Sequence, residues 1–147
     1  DASGVIVGLR TATRRGEILK AIMESTSFYF IESLDQLRAL GMDTSEFIAT
    51  GGGARSDAWL QIKADIYGVP VVRAEFTECG LFGAAILAGV AIGRFESVEA
   101  AARLSRRGQV FVPDPGRHAR YRERAAHFTR LLPLMHPYLA TLNAMSA

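Results

Sequence analysis

A single cysteine, Cys79, stands in 147 residues, so no disulfide can form within the chain, and this usage fits a reducing, cytoplasmic setting. Lysine is nearly as scarce. Lys20 and Lys63 are the only two, and arginine supplies the rest of the basic residues, a bias that reads as genome composition rather than function. Neither sign of charge dominates: the formal net charge of +2 gives no global electrostatic case for a nucleic-acid partner. No run of about 18 apolar residues occurs, so no membrane-spanning helix is expected. No secretory leader, internal repeat or low-complexity stretch is visible.

What is present is enough apolar material for a core. Hydrophobic residues make up 49% of the chain, and its length is that of one domain. The chain begins at Asp1 rather than Met and enters the apolar run Val5-Ile6-Val7 almost at once, as expected of a piece of a longer protein. Val5 to Leu9 reads as a strand. From about Arg14 to Leu40, Leu19, Ile22, Met23, Phe30, Leu34 and Leu37 recur at three- and four-residue steps, the pattern of one helix face, and Gly41 is a stop signal. Phe47 to Thr50 reads as a short strand, Asp57 to Tyr67 as a helix ended by Gly68, and Pro70 to Val72 as a second strand. Trp59, Ile62 and Ile66 share one side of that helix. A small-residue helix is expected over Glu78 to Ile92, and another, capped by Ser97, runs to Leu104. Arg106 to Gly116 reads as a linker, with Pro113-Asp114-Pro115 a hard turn. An Arg-rich helix follows, broken near Pro133 and Pro137. Strands alternating with helices predict an α/β fold with parallel strands and crossover helices.

The segment richest in chemistry is Thr50-Gly51-Gly52-Gly53-Ala54-Arg55-Ser56. A strand precedes it and a helix follows. Glycine lets backbone approach a phosphate closely, and free N–H groups at a helix start point toward it. A tight turn alone would need only one or two glycines. The glycines are contiguous, with no third at dinucleotide spacing, which argues against a nicotinamide-dependent oxidoreductase. A P-loop would need Gly-Lys-Ser/Thr, which is absent.

Other candidates read more plainly. Gly80, Gly83, Ala84 and Ala88 give the Glu78 to Gly89 helix a small face, suited to packing against a sheet, with its start near the glycine turn. Cys79 has no histidine close in sequence and reads as a small buried thiol. His118, His127 and His136 are nine residues apart, so successive members point to opposite sides of a helix and share no metal site. Arg117, Arg120, Arg122, Arg124 and Arg130 either bind a polyanion or form the solvated side of the last helix, the second being preferred. Glu17 with Glu24, and Asp57 with Asp65, read as ordinary helix surface rather than acid–base pairs.

Four blocks in order resemble the C-terminal domain of the FGGY carbohydrate kinases, most closely the xylulose-kinase branch. They are Gly8-Leu9 with Arg14 to Ser25; Thr50 to Val71, the most specific; Glu78 to Gly89; and Pro113-Asp114-Pro115 with the helix after it. The resemblance implies an actin-like ATPase (ribonuclease H-like) α/β fold, here in part. Residues 1–147 would be the C-terminal nucleotide-binding domain, without its first phosphate-binding hairpin and without the N-terminal sugar-binding domain. In the family, the first two glycines of the second block lie along the nucleotide phosphates, and the polar residue four after the second sits by adenine. Carried over, these are Gly51, Gly52 and Ser56, with Gly53 and Ala54 lining the same turn. Many members have Asn where this chain has the shorter Ser56. The implied cofactors are ATP or ADP with Mg²⁺, and the implied partner is a sugar or polyol. The catalytic aspartate lies in the sugar-binding domain, so no catalytic residue and no metal ligand is assigned to this chain. Xylulose is the favoured acceptor, other pentuloses, gluconate and a tetritol stay open, and so does homo-oligomerisation. The alternative from another class is a non-catalytic actin-like sensor or scaffold that keeps nucleotide binding.

Overall fold

The computed structural model describes residues 4–76 and 78–145. Five helices and three strands follow one another: α1 (Arg15–Ala39), β1 (Phe47–Ala49), α2 (Asp57–Tyr67), β2 (Val71–Ala74), α3 (Cys79–Ala91), α4 (Val98–Ala102), β3 (Arg107–Phe111) and α5 (Pro115–Met145). A one-turn 3₁₀ helix, Gly52–Arg55, joins β1 to α2.

The sheet is mixed, in the order β1-β2-β3. β1 and β2 are parallel, with Phe47 opposite Val71 and Ala49 opposite Arg73. The expected parallel pair is there, and α2 is its crossover helix. β3 then pairs antiparallel to β2, so the stretch read as a linker contains a strand. Its Arg-Gly-Gln-Val-Phe sequence hides it, since Phe111 alone of the five is buried. The register slips between Val72 and Ala74, and Gly108 sits in this irregularity. A Cβ there would come 2.7 Å from the Arg73 carbonyl oxygen, so the close approach of the two backbones requires glycine.

Local chemistry sets the bounds of α2. Ser56 Oγ accepts from the Trp59 amide at 3.3 Å at one end. At the other, Gly68 takes φ +70 and its amide bonds to the Ala64 carbonyl, a left-handed cap. α1 opens with the Glu17 carboxylate accepting from the Arg14 amide at 2.7 Å. α2 packs on the sheet, and α1 and α5 pack on α2 and on each other. The core joins Phe28, Ile31 and Leu34 of α1 to Leu60, Ala64 and Tyr67 of α2, Val71 and Phe111 of the sheet, and Tyr121 and Ala125 of α5.

Several expectations shift here. The buried face of α1 is Glu24, Ser27, Phe28, Ile31 and Leu34. Of the predicted set only Leu34 is fully buried, while Leu19 and Ile22 stay half exposed, because α1 is apolar on more than one side and packing chose another stripe. Of the apolar α2 side read from the sequence, Ile66 is buried and Trp59 and Ile62 partly so, whereas Leu60 and Ala64 are fully enclosed. Val5 to Leu9 forms no strand: it has no ladder partner among the described residues, and its apolar side chains are exposed. α4 ends at Ala102, two residues early. α5 runs unbroken through Pro133 and Pro137. Four residues apart, both prolines lie on one exposed side of the helix, where water can serve the carbonyls that lose an amide partner. α3 makes its main packing with α4 rather than with the sheet. Gly80 and Gly83 face open space, and among its glycines only Gly89 is closely packed, under Phe95.

Candidate nucleotide site

The turn between β1 and α2 lies at the carboxyl end of a parallel strand, where α/β sheets hold ligands. Gly51 takes φ +76 and ψ −171, a conformation that side chains avoid, and so turns the chain out of the strand. The 3₁₀ turn then closes with the Ala54 amide on the Gly51 carbonyl at 3.0 Å and the Ser56 amide on the Gly53 carbonyl at 3.4 Å. The amides of Gly52 and Gly53 have no backbone partner among the described residues. A Cβ at Gly51 or Gly52 would meet nothing within 4 Å, so the space above these amides is open. Two free donors beside an open approach, at the positive end of α2, fit the phosphates of a nucleotide. Ser56 is nearby, with its oxygen engaged as the α2 cap.

The underside of the turn is fixed by side chains. Trp59 lies against Gly53, where a Cβ would touch the indole at 3.2 Å. Lys63 stands 4.9 Å above that ring, and partial burial lowers its pKa. The indole Nε1 is buried with no hydrogen-bond partner among the described residues. Arg73 of β2 reaches the same turn. Its Nε donates to the Ala54 carbonyl at 2.7 Å, its Nη2 bonds to Asp57, and its guanidinium stands 5.3 Å from the Phe111 ring. One fork therefore ties the end of the 3₁₀ turn to the start of α2. Arg55 pairs with Glu78 at 2.9 Å, which brings the start of α3 beside the turn, as expected; both partners are exposed, so this pair adds little energy.

Arg73 and Asp57 were not legible as site residues. Asp57 reads as helix surface, and the one available signal for Arg73 is a cation inside an otherwise apolar strand.

The remaining candidates resolve elsewhere. Cys79 is partly buried and its thiol donates to the Phe76 carbonyl at 3.0 Å. His118 Nδ1 lies 3.0 Å from the Asp65 carbonyl, while His127 and His136 are exposed on α5. Among the described residues, no three His, Cys, Asp or Glu side chains gather as a metal site. No described helix is long and apolar enough to cross a membrane.

The reading of Asp65 and Glu24 as ordinary helix surface is overturned. Asp65 is buried and accepts from Gln61 at 2.9 Å, from the Asp114 amide at 2.9 Å and from Arg117 at 2.8 Å. Glu24 is buried and accepts from the Tyr121 hydroxyl at 2.7 Å. Burial, and then the bond to Glu24, raises the Tyr121 pKa far above the usual phenol range. These carboxylates fasten α2 and α1 to α5; they lie away from the glycine turn.

Residues 1–92 match the family model described as the FGGY family of carbohydrate kinases, C-terminal domain. The chain belongs to that family. It is 37% identical over 111 residues to the xylulose kinase of Bacillus subtilis (strain 168), covering 75% of this chain and 22% of that protein. It is 43% identical over 94 residues to the glycerol kinase of Renibacterium salmoninarum, covering 63% of this chain and 19% of that protein. The chain thus spans about a fifth of the length of these curated relatives. Among solved structures, ligand-bound xylulose kinase from Lactobacillus acidophilus superposes with a TM-score of 0.82 at 23% identity, over 96% of this chain and 29% of that one. Xylulose kinase from Rhodospirillum rubrum gives a TM-score of 0.78 at 28% identity, over 95% and 28%. The fold is therefore the α/β, actin-like ATPase fold of these kinases, in part.

Proposed function

We propose that this chain is the nucleotide-holding part of a kinase that transfers the γ-phosphate of ATP to a hydroxyl of a sugar or polyol, with a xylulose-like acceptor favoured. The observation that carries this reading is the pair of unpartnered amides at Gly52 and Gly53, opened by the left-handed Gly51 at the end of β1. Gly51 and Gly52 would lie along the phosphates, Gly53 and Ala54 would line the same turn, and Ser56 would stand toward the base. Kinship with a xylulose kinase supports the acceptor class.

Phosphoryl transfer asks mainly for positioning and charge neutralisation. Mg²⁺ bound with ATP would supply neutralisation of the phosphate charge. The chain's own part is to present fixed donors and keep them still, through Trp59 beneath Gly53 and Arg73 on Ala54. The group that takes the proton from the sugar hydroxyl would belong to the sugar-binding domain of the native protein, outside residues 1–147. We place the reaction in the cytoplasm, in keeping with the single thiol.

The test is ADP release by the native-length protein with Mg-ATP across ketoses, aldoses, polyols and sugar acids. Strong turnover on one acceptor supports the kinase and names its substrate. ATP binding without turnover on any of them replaces it with a non-catalytic nucleotide sensor. The 147-residue chain alone is expected to show no turnover.

A further inference from the structure

A second concentration of positive charge lies away from the glycine turn. Lys20 of α1 and Arg117, Arg120 and Arg124 of α5 line one cavity of about 220 Å³, with the Tyr121 ring as a wall. That volume is many times the roughly 10–15 Å³ that one water needs. Steps of three and four residues bring the three arginines to one side of α5. Lys20 meets them across the groove between α1 and α5.

The charges do not balance. Lys20 and Arg124 share the single carboxylate of Glu24, at 3.4 and 3.9 Å. Arg117 pairs with Asp65 at 2.8 Å. Arg120 forms no ion pair among the described residues. Four cations thus face two carboxylates, and neither carboxylate lines the cavity. The position adds to the imbalance. Arg117 stands in the first turn of α5, where the helix dipole disfavours a cation. Four cations around one cavity repel one another, and an anion between them relieves that repulsion. Guanidinium forks suit the oxygens of a phosphate, which is close to a dianion at neutral pH.

We propose that this groove is an oxyanion site that takes a phosphate group, either as the free ion or on a small phosphorylated molecule. It is separate from the nucleotide turn. Asp65, which anchors Arg117, is nine residues along α2 from Ser56, about 14 Å at the rise of a helix. The reading of these arginines as merely a solvated helix face is what the proposal replaces.

The test uses the native-length protein with Mg-ADP saturating, so that the nucleotide site is filled. Inorganic phosphate and glucose 6-phosphate are titrated separately by calorimetry at constant ionic strength. Saturable binding is expected, weakening as salt rises. Arg120→Ala should weaken it about tenfold, since a charge-assisted contact is lost, while Arg120→Lys should retain part of it. Arg120 is exposed and has no hydrogen-bond or ion-pair partner among the described residues, so Arg120→Ala should melt as the wild type does, and its affinity for Mg-ADP should not change. Equal binding of both probes identifies a free-ion site, and binding of the ester alone identifies a phosphorylated small molecule. Absence of saturable binding by either probe, or binding unchanged in both Arg120→Ala and Lys20→Ala, overturns the proposal.

Discussion

Arg73 Nε donates to the carbonyl oxygen of Ala54 at 2.7 Å, joining β2 to the turn that precedes α2. The same guanidinium reaches Asp57 and, at 3.3 Å, Gln109 of β3. A partly buried fork with three partners holds the turn in place from the sheet side. Arg73→Ala is expected to cost about 1–3 kcal/mol of stability. It should also weaken Mg-ADP binding several-fold, because the Gly52 and Gly53 amides are no longer held still. Arg73→Lys keeps a charge but not the fork, and should fall between. Denaturant melts and ADP calorimetry on the three proteins check this; unchanged ADP affinity in Arg73→Ala would mean that the turn needs no support from β2.

Gly68 faces two constraints at once. Its φ is +70, and a Cβ would lie 2.5 Å from the His118 ring. Gly68→Ala is expected to lose about 2 kcal/mol or more, from left-handed strain and from displacing His118 off the Asp65 carbonyl. Gly80→Ala is the contrast. It sits in α3 with open space around it, so the 147-residue chain should gain up to about 1 kcal/mol. Denaturant midpoints compare the two; a loss at position 80 would show that α3 is packed where the structure leaves it open.

Alkaline pH should unfold the chain through Tyr67 and Tyr121. Burial raises the pKa of both, and the Glu24 bond adds to the shift at Tyr121. Below the unfolded phenol pKa of about 10 both states are neutral and stability is full. Above it the unfolded state loses protons first, so stability falls as pH climbs toward the folded values. Tyr121→Phe should flatten that fall. It should also cost about 1–2 kcal/mol at neutral pH, because Glu24 loses a donor in a buried place. Melting against pH from 7 to 11 checks both effects.

The 147-residue chain on its own should self-associate. Leu81, Leu87 and Ile92 of the α3 region are 73%, 62% and 81% exposed, and Leu19, Ile22 and Tyr29 of α1 are more than half exposed. Surfaces of this kind seek cover. Sedimentation should show concentration-dependent species and a weakly cooperative melt; a single monomer with a sharp transition would contradict this.

How much of this was legible depends on where the determining partner lies. The bounds of α2 are written locally, in the Ser56 cap and the Gly68 stop, and the structure has the same bounds. The glycine turn was legible for the same reason. β3 was not, because its apolar signal is one buried residue and its identity as a strand comes from pairing with β2. Val5 to Leu9 fails in the opposite sense: it has strand composition, but no described neighbour supplies the hydrogen bonds. The interior roles of Glu24 and Asp65 depend on Tyr121, Asp114 and Arg117, dozens of residues away, so no window around either acid could reveal them.

The Tyr121–Glu24 bond spans 97 residues and joins α1 to α5. Ribosomal synthesis therefore meets a delay. α1 emerges with its stripe of Phe28, Ile31 and Leu34 well before the α5 wall that covers part of that stripe is made. Closing so long a loop is slow compared with local helix formation, so α1 waits with uncovered apolar surface while the sheet and α2 take shape. A nascent chain stalled before residue 115 should bind a holdase, and release from it should track the emergence of α5.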